Sequence, residues 1–235
     1  MSKKVQAKNE TPIPCKLILV GESGVGKTSI ISRYLNMYQE KTDSTLGAYF
    51  SNKIVIVDDY KINFEIWDTA GQEKYRSINN LFYKDSHICL LVYDITNKSS
   101  FNCIRDYWYE AVLTNGKPDI IFGIAGNKSD LYEDEEVNEK EVEEFANEIN
   151  ASFKLTSAQV NTSIDDIFYM LGEKYIQSDF VKELLPKLIK KDNASQRSTI
   201  NNNIKIQKED TNINNDSRKT NINNNNNNKI WYKCC

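Results

Sequence analysis

The chain has little of what several classes of protein depend on. Among its 235 residues there are five cysteines and one histidine. Cys15, Cys89, Cys103, Cys234 and Cys235 form an odd set without regular spacing, which argues against a disulfide framework and for a reducing compartment. Cys15, Cys89 and Cys103 lie in or beside apolar runs and read as reduced core residues. His87 is the sole histidine, so no zinc set can assemble around the Cys234-Cys235 pair. His87 itself starts a strand and reads as structural. No segment approaches 18 consecutive apolar residues, so none is expected to span a bilayer. The opening MSKKVQAKNETPIP has no apolar stretch and is not expected to act as a signal peptide. No internal repeat is present, and net charge is slight, at −3.

That small net charge hides an uneven distribution. From Val181 onward there are 11 Lys and Arg against 5 Asp and Glu; the preceding 180 residues hold 19 against 28. An acidic body argues against a nucleic-acid groove, which needs clustered cations, whereas a basic tail suits an anionic membrane surface. Hydrophobic residues make up 40 %, enough for one α/β domain with a sizeable core.

Strand and helix patterns alternate along the body. CKLILV, from Cys15 to Val20, is a strand, followed by a glycine-rich turn and a helix from about Lys27 to Asn36. SNKIVIVDDYKINFEIWDTAG reads as two antiparallel strands around a turn at Asp58-Asp59-Tyr60. The apolar run from His87 to Ile95 is a strand covered on both faces. Ser99 to Leu113 reads as a helix capped by Ser99 or Ser100. DIIFGIAG and SFKLTS are two further strands, and Asn138 to Ile149 is an acidic amphipathic helix. The last core helix runs from Ile164 to Ile176, with an extension possible up to Leu185, before Pro186. This alternation implies a doubly wound, mainly parallel sheet flanked by helices, with ligands at the carboxyl ends of its strands. From Asp192 the pattern vanishes. Fourteen Asn lie between Asn193 and Asn228, and such a tail is expected to be disordered.

Chemistry concentrates at the predicted strand ends. GESGVGKT, Gly21 to Thr28, matches the phosphate-binding loop and stands between a strand and a helix, as that motif requires. Its glycines let successive N–H groups face phosphate oxygens, and the helix dipole adds positive potential. Lys27 is expected on the β- and γ-phosphates and Thr28 on Mg²⁺. The loop alone does not separate ATP from GTP. DTAGQE follows a strand, so Asp68 can hold Mg²⁺ through water, Gly71 can offer its N–H to the γ-phosphate, and Gln72 can orient the attacking water. NKSD, Asn127 to Asp130, ends another strand. A carboxylate at Asp130 accepts from the N1–H and exocyclic amine of guanine, a donor pair adenine lacks. TSAQ, Thr156 to Gln159, follows the next strand, where the Ala158 N–H can meet the guanine O6.

These four motifs, in this order, resemble the Ras superfamily of small GTPases over roughly Cys15 to Gln177. The resemblance implies a P-loop NTPase fold with a six-stranded sheet. It also implies that the backbone and side chains of Ser23, Gly24, Val25, Gly26, Lys27, Thr28 and Ser29 hold the phosphates of GTP or GDP. Asn127, Lys128 and Asp130 would frame the base together with Ser157, Ala158 and Gln159. Thr45 would close on Mg²⁺ and the γ-phosphate in the GTP state alone. LGAYF, FEIWDTAGQEKYRS, LFYKDS, LLVYDIT and the Cys-Cys pair resemble Rab proteins, and LGAYF resembles the early-endosomal subgroup. Phe50, Trp67 and Phe82 would then be the aromatic triad read by effectors, against the plainer reading of core packing. An exchange factor, an activating protein, a GDP-dissociation inhibitor or escort protein and GTP-state effectors are the partners this implies. The implied state is a monomer regulating vesicle trafficking, lipid-anchored on the cytoplasmic face of endosomal or vesicular membranes, with a cytosolic pool.

Some positions depart from the family pattern. Lys27 to Thr45 is one residue shorter than the family spacing; Tyr38 is the aromatic chosen to pack beside guanine. Gln159 replaces the usual Lys. LFYKDS replaces a Tyr-Tyr-Arg-Gly-Ala pattern. No arginine is placed to assist hydrolysis in cis, since Arg33 lies on the first helix and Arg76 in the second switch. The expected organisation is a flexible extension over 1–14, a GTPase domain over 15–180, a helix extension or hinge over 181–191, and a tail over 192–235. Double geranylgeranylation of Cys234 and Cys235 is expected, with Lys229, Trp231, Tyr232 and Lys233 adding interfacial contact. A linker of ~40 residues spans roughly 35 Å.

Overall fold

The computed structural model describes residues 7–38, 48–69 and 82–193. One sheet of six strands runs in the order β2-β3-β1-β4-β5-β6. The strands are β1 (Ile13–Val20), β2 (Ala48–Val57), β3 (Tyr60–Thr69), β4 (Ile88–Asp94), β5 (Ile121–Asn127) and β6 (Ser152–Leu155). Only β2 and β3 pair antiparallel; every other pairing is parallel. Their hairpin turns on Asp58 and Asp59, both with positive φ, as a two-residue turn matching strand twist demands. The expected doubly wound α/β architecture is the observed one.

Period-two alternation sorts the parallel strands between two cores. Ile13, Cys15, Leu17 and Leu19 of β1 face one side, with Ile88, Leu90 and Val92 of β4. Against them pack α1 (Lys27–Tyr34) and α4 (Ile164–Ile176), the latter through Ile164, Ile167, Phe168, Leu171 and Tyr175. Ile18, Val20, Cys89, Leu91 and Tyr93 face the other side, under α2 and α3 (Glu139–Glu148). The α2 helix is composite: α-helical over Lys98–Cys103, π-helical over Ile104–Trp108, and α-helical over Tyr109–Asn115. β4 is buried at every residue, which explains its unbroken apolar sequence.

Several boundaries differ from the sequence reading. The cap of α2 is Asn97, whose side chain accepts from the Ser100 N–H at 3.1 Å, and not Ser99 or Ser100. Ser100 is engaged elsewhere: its Oγ accepts from the Asp94 N–H at 3.0 Å, at the end of β4. The segment before residue 15 is not wholly a loose extension. Asn9 is 1 % exposed, donates to the Lys61 carbonyl and accepts from the Lys61 N–H, tying residues 8–11 to the hairpin. α4 ends at Ile176, and a separate helix, α5, spans 179–193 through Pro186. Ser178 caps it, accepting from the Val181 N–H at 3.3 Å. Val181 is fully buried, and Phe180, Leu184, Leu185 and Leu188 pack on the first core. The compact unit extends to Leu188, and residues 181–188 lie in this helix. Packing of that stripe outweighs the one backbone bond that Pro186 forgoes, on an exposed face.

His87 proves structural. Its Nδ1 accepts from the Lys16 N–H at 3.0 Å, and its ring packs against those of Tyr175 and Phe180, which also touch each other. Burial lowers its pKa from 6.5 to about 4; Lys117 and Lys16 push the same way, Asp119 and Asp85 oppose. Cys15 and Cys89 are buried, and burial raises the pKa of both thiols.

Candidate functional site

The carboxyl ends of β1, β3, β4 and β5 share one edge of the sheet because those strands are parallel and neighbouring. In register, Leu19 lies beside Asp68 and Asp94 beside Asn127. Thr69 Oγ1 donates to the Leu19 carbonyl at 2.6 Å and locks the ends of β1 and β3 together.

The loop after β1 enters and leaves on glycines that nothing larger replaces. Gly21 (φ +147°) would drive a Cβ to 2.1 Å from the Val92 carbonyl oxygen, and Gly26 (φ +95°) to 2.2 Å from Asn127 Nδ2. Between them Ser23 and Gly24 are exposed and Val25 is buried. Lys27 opens α1 and folds back over the loop, its Nζ donating to the carbonyls of Gly21 at 2.9 Å and Glu22 at 2.8 Å. Burial draws this ammonium down to about 8, while the carboxylates of Asp68 and Glu22 pull the other way. Thr28 Oγ1 donates to Asp68 Oδ2 at 2.6 Å, bringing together two of the three expected Mg²⁺ residues. A hydroxyl and a carboxylate oxygen form a hard donor set that fits Mg²⁺.

On the base side, Asn127 is 2 % exposed and works as a crosslink. Its Nδ2 donates to the Val25 carbonyl at 2.8 Å, and its Oδ1 accepts from the Ala158 N–H at 3.3 Å. Asp130 accepts from Ser157 Oγ, which also takes the Val160 N–H at 3.1 Å. Lys128 sits at φ +65°, and its Nζ pairs with Asp94 Oδ2 at 2.5 Å. The Tyr38 hydroxyl donates to Gln159 Oε1 at 2.5 Å, and the Arg33 guanidinium stacks 3.6 Å over the Tyr38 ring. Arg33 also donates to the carbonyls of Ala158 and Gln159, at 2.7 and 2.9 Å. Tyr38 thus lies beside the TSAQ loop, and Arg33 is committed there.

Phe50 of β2, Trp67 of β3 and Phe82 form a continuous aromatic row, with ring centroids 5.1 and 5.4 Å apart. Phe50 is 49 % exposed and the other two are half-buried. Ser29 follows Thr28 in α1. Thr45, Gly71, Gln72, Cys234 and Cys235 lie outside the described residues.

Three contributors were missed in the sequence: Asp94, Glu22 and Arg33. Asp94 carried a usable signal, since it ends a buried strand just as Asp68 does. Glu22 and Arg33 act through partners more than 80 residues away, which no local pattern discloses.

Fold and site together define a P-loop domain of the α/β class: a glycine-rich loop between β1 and α1, the Thr28–Asp68 pair at its mouth, and Asp130 held by Ser157 after β5. The sequence profile of the Ras family matches residues 16–177, and the chain belongs to that family. Within it the chain is a Rab protein of the early-endosomal type. It is 37 % identical to Ras-related protein RABF2a of Arabidopsis thaliana over 163 residues, 69 % of this chain and 81 % of that one. To RABF2b of the same plant it is 36 % identical with the same coverage. To Ras-related protein Rab5A of Oryza sativa subsp. japonica it is also 36 % identical, over 69 % of this chain and 80 % of that one. It is a small GTPase that cycles between GDP and GTP forms, in endosomal vesicle trafficking. Regulators and effectors act on it as on the family generally. Among the described residues no helix is long and apolar enough to cross a membrane.

Proposed function

We propose that GTP binds across the edge defined by Ser23–Ser29, Asp68, Asn127–Asp130 and Ser157–Gln159, and that hydrolysis is driven by positioning and charge rather than covalent chemistry. The observation that supports this best is the Thr28–Asp68 pair lying at the mouth of a loop whose Val25 carbonyl is tied to Asn127. Thr28 and Asp68, with Thr45 from the first switch, would hold Mg²⁺, which neutralises charge on the β- and γ-phosphates. Lys27 brings a second cation to the same oxygens. Asp130 selects guanine, Lys128 flanks the base from its pairing with Asp94, and Tyr38 borders it beside Gln159. Gly71 offers its N–H to the γ-phosphate and Gln72 orients the attacking water. Because Arg33 is bound to the TSAQ loop, the arginine that speeds hydrolysis comes from an activating protein and adds ~10³–10⁵ to an intrinsic rate of roughly 10⁻⁴ to 10⁻³ per second.

The γ-phosphate holds the two switches through Thr45 and Gly71, so effectors bind the GTP form through Phe50, Trp67 and Phe82. An exchange factor reloads GTP. Cys234 and Cys235 carry geranylgeranyl groups that a GDP-dissociation inhibitor or escort protein shields in the cytosol. This places the GTP form on the cytoplasmic face of endosomal membranes. The decisive test is competition on purified chain with magnesium: GDP displaces labelled GTP and ADP does not. Gln72→Leu retains nucleotide and loses single-turnover hydrolysis; loss of binding in that variant would overturn the role given to Gln72.

A further inference from the structure

The α2 helix contains a π-helical turn, Ile104–Trp108. Such a turn is rare, sits as a single bulge inside an α-helix, and is frequent at functional sites. At its end stands Trp108, fully buried. The Trp108 Nε1–H donates to Glu22 Oε1 at 3.1 Å, across 86 residues of sequence. A buried indole N–H requires an acceptor, and a carboxylate gives the stronger, charge-assisted form of the bond. Glu22 is no bystander. It is the second residue of the phosphate loop, and its carbonyl is one of the two that accept from Lys27 Nζ. One residue thus joins Trp108 of the second core to Lys27.

From this geometry we propose that Trp108 is a positioning residue: through Glu22 it holds the first turn of the phosphate loop in its nucleotide-ready curl, and so sets how slowly GDP and GTP leave. The inference rests on the assignment of that loop to phosphate binding. A loop ordered before the nucleotide arrives loses less freedom on binding, and that saving appears mainly as slow release. Since the loop meets phosphates common to both nucleotides, both release rates depend on it alike. The plainer alternative is that Glu22 merely satisfies a buried donor, in which case the contact affects melting and leaves release untouched.

The experiment uses the full chain loaded with methylanthraniloyl-labelled GDP, and separately with labelled GTP, chased by excess unlabelled nucleotide in magnesium. Trp108→Phe keeps a ring in the core and removes the N–H. Glu22→Ala removes the acceptor, and Glu22→Gln keeps an acceptor oxygen. Trp108→Phe and Glu22→Ala should each speed release of both nucleotides about ten-fold, as expected for one hydrogen bond to a charged group. The double variant should be no faster than either alone, and Glu22→Gln should stay within about three-fold of the unaltered chain. Unchanged release, additive effects in the double variant, or a melting shift without a release shift would overturn the proposal. Should Trp108→Phe fail to fold, Glu22→Ala against Glu22→Gln decides alone. Failure of the unaltered chain to take labelled GDP would instead overturn the phosphate-loop assignment beneath it.

Discussion

Gly26 and Asn127 show how a single atom can decide this site. A methyl group at residue 26 would stand 2.2 Å from the Asn127 amide, on a backbone conformation that L residues avoid. Gly26→Ala should therefore fold yet lose nucleotide affinity by at least 100-fold, about 3 kcal/mol, by equilibrium titration with labelled GDP. His87 makes the opposite kind of contribution, to stability and not to binding. Its folded pKa, about 4, lies below the ordinary 6.5. Between those values the unfolded chain takes up a proton that the folded chain refuses, so stability falls as pH drops through the window. His87→Gln retains an acceptor for the Lys16 N–H and removes the proton site. Its melting temperature should decline less between pH 6.5 and 4 than that of the unaltered chain.

Elements were legible wherever pattern and packing agreed. The strands β1, β3 and β4, the hairpin turn at Asp58-Asp59 and the α4 helix follow from apolar periodicity alone, and the strand-end motifs then fall on one edge without further assumption. What local pattern could not supply was competition for partners. TNKSSF offers four capping residues, Thr96, Asn97, Ser99 and Ser100; Ser100 is engaged at the end of β4 and the cap falls to Asn97. The π-helical turn in α2, which ends at Trp108 with its indole N–H on Glu22 86 residues away, has no signature in local propensity. Pro186 read as a stop signal, yet α5 passes through it because Val181 and its neighbours bury against the first core. Two substitutions separate those forces. Val181→Ala should destabilise the chain by about 1–3 kcal/mol, through a cavity under α5. Pro186→Ala, which restores a backbone donor on an exposed face, should stabilise it by about 1 kcal/mol. Urea unfolding monitored by far-UV circular dichroism measures both.

At the scale of the whole molecule, charge is divided between an acidic body and a basic segment after Val181. On the proposed anchoring, lipid groups on Cys234 and Cys235 would retain the chain on a membrane, and the basic segment would add attraction to anionic lipid. Replacing both cysteines with serine should move the chain from the membrane pellet to the supernatant of fractionated cells, while GDP binding by the purified protein stays intact. Mass spectrometry of the unaltered chain should find both thiols modified.

The Asn127 crosslink has a consequence for how the bound molecule escapes. One amide spans the chain segments on either side of the cleft, meeting Val25 with its nitrogen and Ala158 with its oxygen. The loops after β1 and β6 are thus tied through a single latch. On the proposed nucleotide site, an exchange factor that pries at the phosphates should also slacken the clasp around the purine, so that leverage applied at one end would empty the whole cleft.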